Sequence, residues 1–203
     1  MIRTSLAAFA LIVASAAALA QAPANAPTRI RGTLENVDGN LLTIKARGGE
    51  TMKVKVPDNV LVVGIAKASI ADITSGKFIG TTTVGERNGA LVAEEVHIFP
   101  ENMRGTGEGH RDWDLRPQSK MTNANVGDIK SMGDGKVLTV QYKGGEKQVL
   151  VTPRTHVVTF EPASRAELKP GAAVFINAAE RQADGSYTAP RVNVGLNGQV
   201  PPM

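Results

Sequence analysis

The chain of 203 residues contains no cysteine, so disulfide bonds cannot stabilise its fold. Aromatic residues are scarce as well, at 4% of the sequence, and there is a single tryptophan. Stability must therefore come from cores built mainly of Val, Ile, Leu and Ala. The length is sufficient for one domain of moderate size or for two small ones.

The motifs of common enzyme families are also missing. The sequence contains no G-x-S-x-G, no H-E-x-x-H and no cysteine that could act as a nucleophile. Residues 110–112 read HRD, as in the catalytic loop of protein kinases, but neither a glycine-rich phosphate loop nor a D-F-G triplet accompanies them. We therefore expect a protein that is not an enzyme.

Long apolar runs are confined to the N-terminus. Residues 1–20, MIRTSLAAFALIVASAAALA, contain an early positive charge at Arg3, then an apolar run, and end in Ala-Leu-Ala. This pattern predicts a secretory signal peptide that is cleaved after Ala20. We expect a periplasmic or secreted protein, with no transmembrane segment after cleavage. Residues 21–27, QAPANAP, are expected to form a disordered tail.

The charges are only weakly unbalanced and are dispersed along the chain. There are 23 Lys and Arg residues against 19 Asp and Glu residues, which gives a net charge of +4. Binding of single-stranded nucleic acid requires a basic groove and exposed aromatic rings. Since aromatic residues are few and export is predicted, we expect no nucleic-acid partner.

The sequence contains an internal repeat with an offset of 96 positions, from 38 to 134. Residues 38–50 read DGNLLTIKARGGE, and residues 134–146 read DGKVLTVQYKGGE. Farther along, NGALVAEEVHI at 88–98 corresponds to DGSYTAPRVNV at 184–194. This period is far longer than that of solenoid repeats, so the pattern indicates duplication of a whole domain.

Each copy is predicted to begin with three strands joined by glycine-containing turns. In the first copy, Asp38-Gly39 and Gly48-Gly49 mark these turns, and alternation of apolar and polar residues between them predicts a half-buried strand. The segments SIAD (69–72) and SRAE (164–167) follow, and both fit a capping box that begins a short helical turn. Two more strands complete each copy.

This order of elements predicts an all-β fold, with two tandem OB-fold-like five-stranded barrels related by internal duplication and one short helical turn in each. A five-stranded sandwich is the alternative architecture. The expected domains are residues 28–99 and 126–203. Residues 100–125, which we name the strap, are expected to tie the two domains together.

Several segments resemble a bacterial family of exported proteins with a domain of unknown function. The resemblance is carried by GTLENVDGNLLTIKARGG, VHIFPENMRGTGEGHRDWD, SKMTNA and VGLNGQVPPM, and it covers essentially the whole chain after the signal peptide. Proteins of this type are sometimes labelled metal ABC transporter permease. That label conflicts with the sequence, since no segment after residue 20 is apolar enough to span a bilayer. The resemblance implies no substrate and no catalytic residue.

Uncommon residues concentrate at 105–124, GTGEGHRDWDLRPQSKMTNA, which is predicted to be neither helix nor strand. Trp113 is expected to anchor the strap in a groove between the two domains, because its side chain buries a large apolar area. Arg111, Asp112 and Asp114 are expected to form local ion pairs there or to complete a ligand pocket.

Met103, His110 and Met121 offer soft donors that suit Cu(I). With Trp113 as a ring that covers the cation, this composition resembles that of the small OB-fold periplasmic copper and silver chaperones. The first expectation is a structural or ligand-binding envelope protein without a cofactor, whose partner is an unknown envelope protein or a small ligand. A Cu(I)- or Ag(I)-binding protein and a glycan- or peptide-binding module are the alternatives.

Overall fold

A computed structural model describes residues 27–201. The predicted signal peptide and nearly all of the predicted disordered tail lie outside this range. The described chain is all-β, as predicted, and contains no helix long and apolar enough to cross a membrane. Its strands are β1 (Thr28–Asp38), β2 (Leu41–Ala46), β3 (Thr51–Lys55), β4 (Leu61–Lys67), β5 (Phe78–Arg87), β6 (Ala90–Ile98), β7 (Gly109–Asp112), β8 (Lys120–Met132), β9 (Gly135–Tyr142), β10 (Gly145–Val151), β11 (His156–Pro162), β12 (Ala173–Arg181), β13 (Tyr187–Thr188) and β14 (Arg191–Gly195).

Five strands close into a barrel, which we name ring A. β1 pairs with β2, β2 with β3, β3 with β13, β13 with β12, and β12 pairs back with β1. Side chains alternate between the two faces of each strand. The inward-facing ones, such as Leu42, Ile44 and Ile176, form an apolar core. The predicted β-barrel is thus present.

A second circuit of five strands, ring B, is traced by the pairings β5–β6, β6–β10, β10–β9, β9–β8 and β8–β5. Its interior is filled by residues such as Ile79, Val96 and Leu138. One three-residue 3-10 turn lies beside each ring at the predicted capping positions, Ile70–Asp72 and Arg165–Glu167. In the first of these, the Asp72 carboxylate accepts a hydrogen bond of 2.8 Å from the Ser69 backbone N–H.

The division into two consecutive domains, residues 28–99 and 126–203, is not confirmed. Ring A combines β1, β2 and β3 of the first half with β12 and β13 of the second half. Ring B combines β8, β9 and β10 of the second half with β5 and β6 of the first. Each half therefore supplies three strands to one ring and its last strands to the other.

Strands β4 and β11, which the sequence analysis did not predict, explain this exchange. They lie side by side and antiparallel, while β4 pairs in parallel with β14 and β11 pairs in parallel with β6. Each of them carries the chain away from the ring in which its half began. As a result, a continuous 14-stranded sheet runs through the described residues.

The prediction that residues 105–124 are irregular is wrong over two stretches. Gly109–Asp112 form β7, which pairs antiparallel with the first residues of β8, Lys120 to Asn123. β9 reaches β8 only from Asn125 onward. Backbone groups need hydrogen-bond partners, and β7 supplies them where β9 does not reach.

Candidate functional site

A cavity of about 230 Å³ lies where the outer faces of the two rings meet the strap. Ring A contributes residues of β12, such as Phe175 and Asn177, and ring B contributes residues of β6 and β8. The strap covers the cavity with Met103, Arg111 and Trp113. A cluster of buried apolar side chains surrounds it, comprising Ile65, Phe78, Phe99, Val158, Phe160 and Phe175.

The wall from ring B is organised around Gly80 in β5. Gly80 is paired with His97 of β6 on one side and with Asn123 of β8 on the other. Side chains of paired residues point to the same face of a sheet. A Cβ atom on Gly80 would overlap Nε2 of His97 and lie 2.7 Å from Oδ1 of Asn123. Glycine at this position therefore lets the imidazole and the amide lean toward each other over the strand.

His97 and Glu95 form a buried hydrogen-bonded pair beside the cavity. Nδ1 of His97 lies 3.2 Å from Oε1 of Glu95, and the two residues are 2% and 1% exposed. The imidazole makes edge contacts with the rings of Phe99 and Phe160, with centroids 4.8 and 5.6 Å away. In a neutral imidazole this pairing places the proton on Nδ1, which leaves Nε2 as an acceptor. Within the described chain, Nε2 has no hydrogen-bond partner.

Arginine side chains from two parts of the chain lie over the Trp113 ring. The guanidinium of Arg29, on β1, lies 3.9 Å from the ring centroid, and that of Arg111 lies 5.7 Å away. The neighbouring Asp114 pairs with Arg31 at 2.8 Å and with Arg29 at 3.4 Å. Burial alone would raise the pKa of Asp114, but the hydrogen bond from Arg31 and the charges of both arginines hold it below its ordinary value. The strap is therefore fastened to ring A.

Two arginines that line the cavity interact with neutral oxygens. Arg111 donates to the Gly107 carbonyl at 2.7 Å, and Arg191 of β14 donates to Oδ1 of Asn193 at 3.3 Å. Neither forms an ion pair with a carboxylate of residues 27–201. Burial lowers the pKa of both guanidinium groups, and the charge of Arg29 lowers that of Arg111 further. The cavity is thus electropositive.

Several buried polar atoms at this site lack a protein partner. Oδ1 of Asn123, Nε1 of Trp113 and Oε2 of Glu95 make no hydrogen bond to any described residue. The Asn123 amide is fixed, because its NH2 group donates to the Thr106 carbonyl at 2.9 Å. An unpartnered buried polar group costs about 1–3 kcal/mol. Of these residues, Asn123 and Trp113 line the cavity, and unpartnered groups at a cavity wall indicate that a ligand or water completes them.

The structure brings together only some of the residues singled out in the sequence. Met103, Arg111, Trp113 and Met121 line one cavity. His110 does not join them, because alternation along β7 places it on the face opposite Arg111. Its Nδ1 lies 2.8 Å from the Thr122 hydroxyl, and its ring stacks on Tyr142 at 6.4 Å.

The remaining residues of the predicted site do not line the cavity. Asp112 is exposed and pairs with Lys120, which lowers the pKa of the Asp112 carboxyl. Asp114 fastens the strap to ring A, as described above, and does not line the cavity. Burial lowers the pKa of His110, and the charges of Lys147 and Lys120 contribute to this shift.

Sequence reasoning missed His97, Asn123 and Arg191. Residues 95–98, EVHI, alternate polar and apolar residues, which is typical of a strand with one face in water. No local signal shows that the polar face is covered by the strap and by the other ring. Comparison of the chain with protein-family models, curated proteins and solved structures found no match.

Proposed function

We propose that the protein is a non-enzymatic binding protein of the bacterial envelope, which holds a small organic ligand in the cavity beneath the strap. The observation that carries this proposal is the unpartnered Oδ1 of Asn123, which is buried in an otherwise largely apolar wall. Ligand sites are typically apolar cavities with a few fixed polar groups that orient the ligand. The predicted signal peptide supports the location.

The lining and the volume of the cavity favour a compact aromatic ligand. Its walls include the rings of Phe99, Trp113, Phe160 and Phe175, which favour stacking or edge contacts with another ring. The volume of about 230 Å³ lies below the range of about 300–1,000 Å³ that is common for drug-sized ligands. A ligand of one or two rings fits this space.

The proposal includes the architecture that places the cavity. We infer that the two rings are OB-like barrels that arose by duplication and then exchanged their last strands. In ring A the circuit closes by the parallel pairing of β3 with β13, and in ring B by the parallel pairing of β10 with β6. Equivalent closure of both rings supports a common origin. Interfaces between such units are frequent binding sites.

A titration with small aromatic probes tests the binding function. Isothermal calorimetry with 2-naphthoate and 2-naphthamide is expected to show saturable 1:1 binding of at least one probe. Ala178→Phe places a ring at the exposed edge of the cavity and should abolish that binding. Ala183→Phe, in an exposed turn that does not line the cavity, is the matched control. If neither probe binds, or if both variants bind alike, the proposal is wrong.

A second candidate function, binding of Cu(I) or Ag(I), is favoured by one observation. His97, Met103 and Met121 line the same cavity, and the His97 imidazole is oriented through Nδ1 by a carboxylate, as is common for metal-binding histidines. These are soft or borderline donors that suit monovalent copper. Against this candidate, Arg29 already covers a face of Trp113, and two further arginines make the cavity electropositive.

Anaerobic titration with Cu(I) against a chromophoric chelator separates the candidates. If the metal site exists, His97→Gln and Met121→Leu weaken Cu(I) binding, whereas His110→Gln leaves it unchanged. If only His110→Gln loses Cu(I) binding, the result would favour His110, the histidine predicted from the sequence, as the ligand in place of His97. No competition with the chelator by the unmodified protein would end the metal hypothesis.

A further inference from the structure

The residues that line the cavity carry charge of one sign. Two arginines, Arg111 and Arg191, line it. No Asp or Glu of the described residues, 27–201, belongs to the lining. From this we infer that the ligand is an anion, and specifically a small aromatic carboxylic acid. The inference rests on the proposed binding function and specifies the class of ligand that the cavity takes.

Two neighbouring arginines, Arg29 and Arg31, have a carboxylate that balances their charge, whereas the two in the cavity lining do not. Arg29 and Arg31 share the carboxylate of Asp114, at 3.4 and 2.8 Å. Arg111 and Arg191 have only a carbonyl and an amide oxygen as hydrogen-bond acceptors. A partly buried guanidinium without an opposite charge is unfavourable, so these two groups favour an incoming anion.

Corresponding positions of the internal repeat carry opposite charges beside the cavity. In the alignment of 88–98 with 184–194, Glu95 and His97 correspond to Arg191 and Asn193. Both pairs are joined by a side-chain hydrogen bond, of 3.2 Å in the first half and 3.3 Å in the second. Glu95 does not line the cavity, whereas Arg191 does. At these corresponding positions, the acidic residue of the first half therefore lies outside the cavity lining, and the basic residue of the second half lies in it.

The remaining groups complete a site for an aromatic acid. Nε1 of Trp113 is buried and unpartnered, and as an N–H it can only donate. It therefore adds a third donor for a carboxylate. Phe160 and Phe175 offer ring surfaces for the aromatic body of the ligand. Oδ1 of Asn123 accepts a hydrogen bond from a ligand N–H or O–H.

Calorimetric titration of the mature protein with 2-naphthoate and 2-naphthamide tests this inference, because the two probes have nearly the same shape and differ in charge. Naphthoate is expected to bind at least about tenfold more tightly than naphthamide, since it gains charge-assisted hydrogen bonds. Raising the salt concentration should narrow this ratio only slightly, because partly buried pairs are weakly screened.

Matched variants locate the effect. Arg111→Gln and Arg191→Gln should each reduce the ratio of the two affinities toward one, mainly by weakening naphthoate. Arg181→Gln, at an exposed position on β12 that does not line the cavity, is the control and should keep the ratio. Each variant is checked for an unchanged circular dichroism spectrum.

The outcomes separate this inference from the function on which it rests. Equal binding of the two probes by the unmodified protein overturns the anion inference and leaves the binding function in place. Failure of both probes overturns the binding function itself. A ratio that survives in both cavity variants shows that the charge is recognised elsewhere, and this too overturns the inference.

Discussion

The guanidinium carbon of Arg29 lies 3.9 Å from the centre of the Trp113 ring. This contact joins β1, the first strand of ring A, to the strap that covers the cavity. Asp114 reinforces it by pairing with Arg29 and Arg31. The strap is thus held at its middle by stacking and charge together.

Removal of the Trp113 side chain should destabilise the protein. Trp113 is half-buried and packs on the apolar cluster around Phe175, so Trp113→Ala is expected to cost about 2–3 kcal/mol, below the loss for a fully buried ring. Differential scanning calorimetry measures the change as a lower Tm. Leu61→Ala, at a position that is 54% exposed, is the control and should shift Tm little. Equal Tm values for the Trp113 variant and the unmodified protein would contradict the anchoring role.

Asp114 should make the attachment of the strap sensitive to acid. Its pKa is lowered in the folded state, so its contribution to stability is complete well above the ordinary value of 3.8 and is lost as pH falls below that value. Asp114→Asn lacks this contribution. The variant is therefore expected to be less stable at neutral pH, by at most about 1 kcal/mol for such an exposed pair. Tm values measured from pH 7 to pH 2.5 should converge at the acidic end, and a constant difference would refute the assignment.

Gly80→Ala should disturb both stability and the cavity. The new methyl group would overlap the His97 imidazole, which is buried against Phe99 and Phe160 and has little room to move. Overpacking of this kind costs about 1–3 kcal/mol. The loss is measured by urea unfolding, and probe binding should weaken in parallel.

Gly48→Ala is the matched control for this change. There the methyl group would meet only the end of the exposed Glu50 side chain, which can swing away. Its free energy of unfolding should remain close to that of the unmodified protein. If the two alanine variants unfold alike, the close approach of His97 to Gly80 is not a constraint on the fold.

Replacement by valine should change the free energy of unfolding differently at two neighbouring threonines of β5. Thr81 and Thr82 are both 0% exposed. The Thr81 hydroxyl donates to the Glu95 carbonyl at 2.9 Å, whereas the Thr82 hydroxyl has no partner in the described chain. Thr81→Val should lose about 1 kcal/mol, and Thr82→Val should be neutral or stabilising. Urea unfolding of both variants decides this, and a loss in Thr82→Val as large as that in Thr81→Val would show that the hydroxyl is satisfied.

The three-strand opening of each half was predictable because its signals are local. Gly39, Gly49 and Gly144 have positive φ angles of 52°, 96° and 98°, which the turns require and glycine permits. β4 gave no such signal. Its sequence LVVGIAK lacks alternation, and Gly64 within it resembles a turn residue. Glycine at this position instead makes room for the Leu196 side chain, which packs directly onto it.

The candidate site was predictable in part for a similar reason. Composition alone drew attention to Met103, Trp113 and Met121, which do line one cavity. The histidine beside them is His97 and not His110, and this difference depends on register. Only the pairing of β7 with β8 determines which alternate residues of the strap face inward. The capping box at Ser69, by contrast, is local, and it was found.

The exchange of strands between the halves has a consequence for the kinetics of folding. Ring B is complete once the chain has been synthesised to Val151, whereas closure of ring A requires contacts such as Ile30 with Ile176. Such contacts between distant parts of a sequence give a high contact order and slow folding. β1 to β3 are therefore enclosed only when β12 and β13 are in place. Until β12 arrives, β1 to β3 present unpaired edges on which chaperones and neighbouring chains can act.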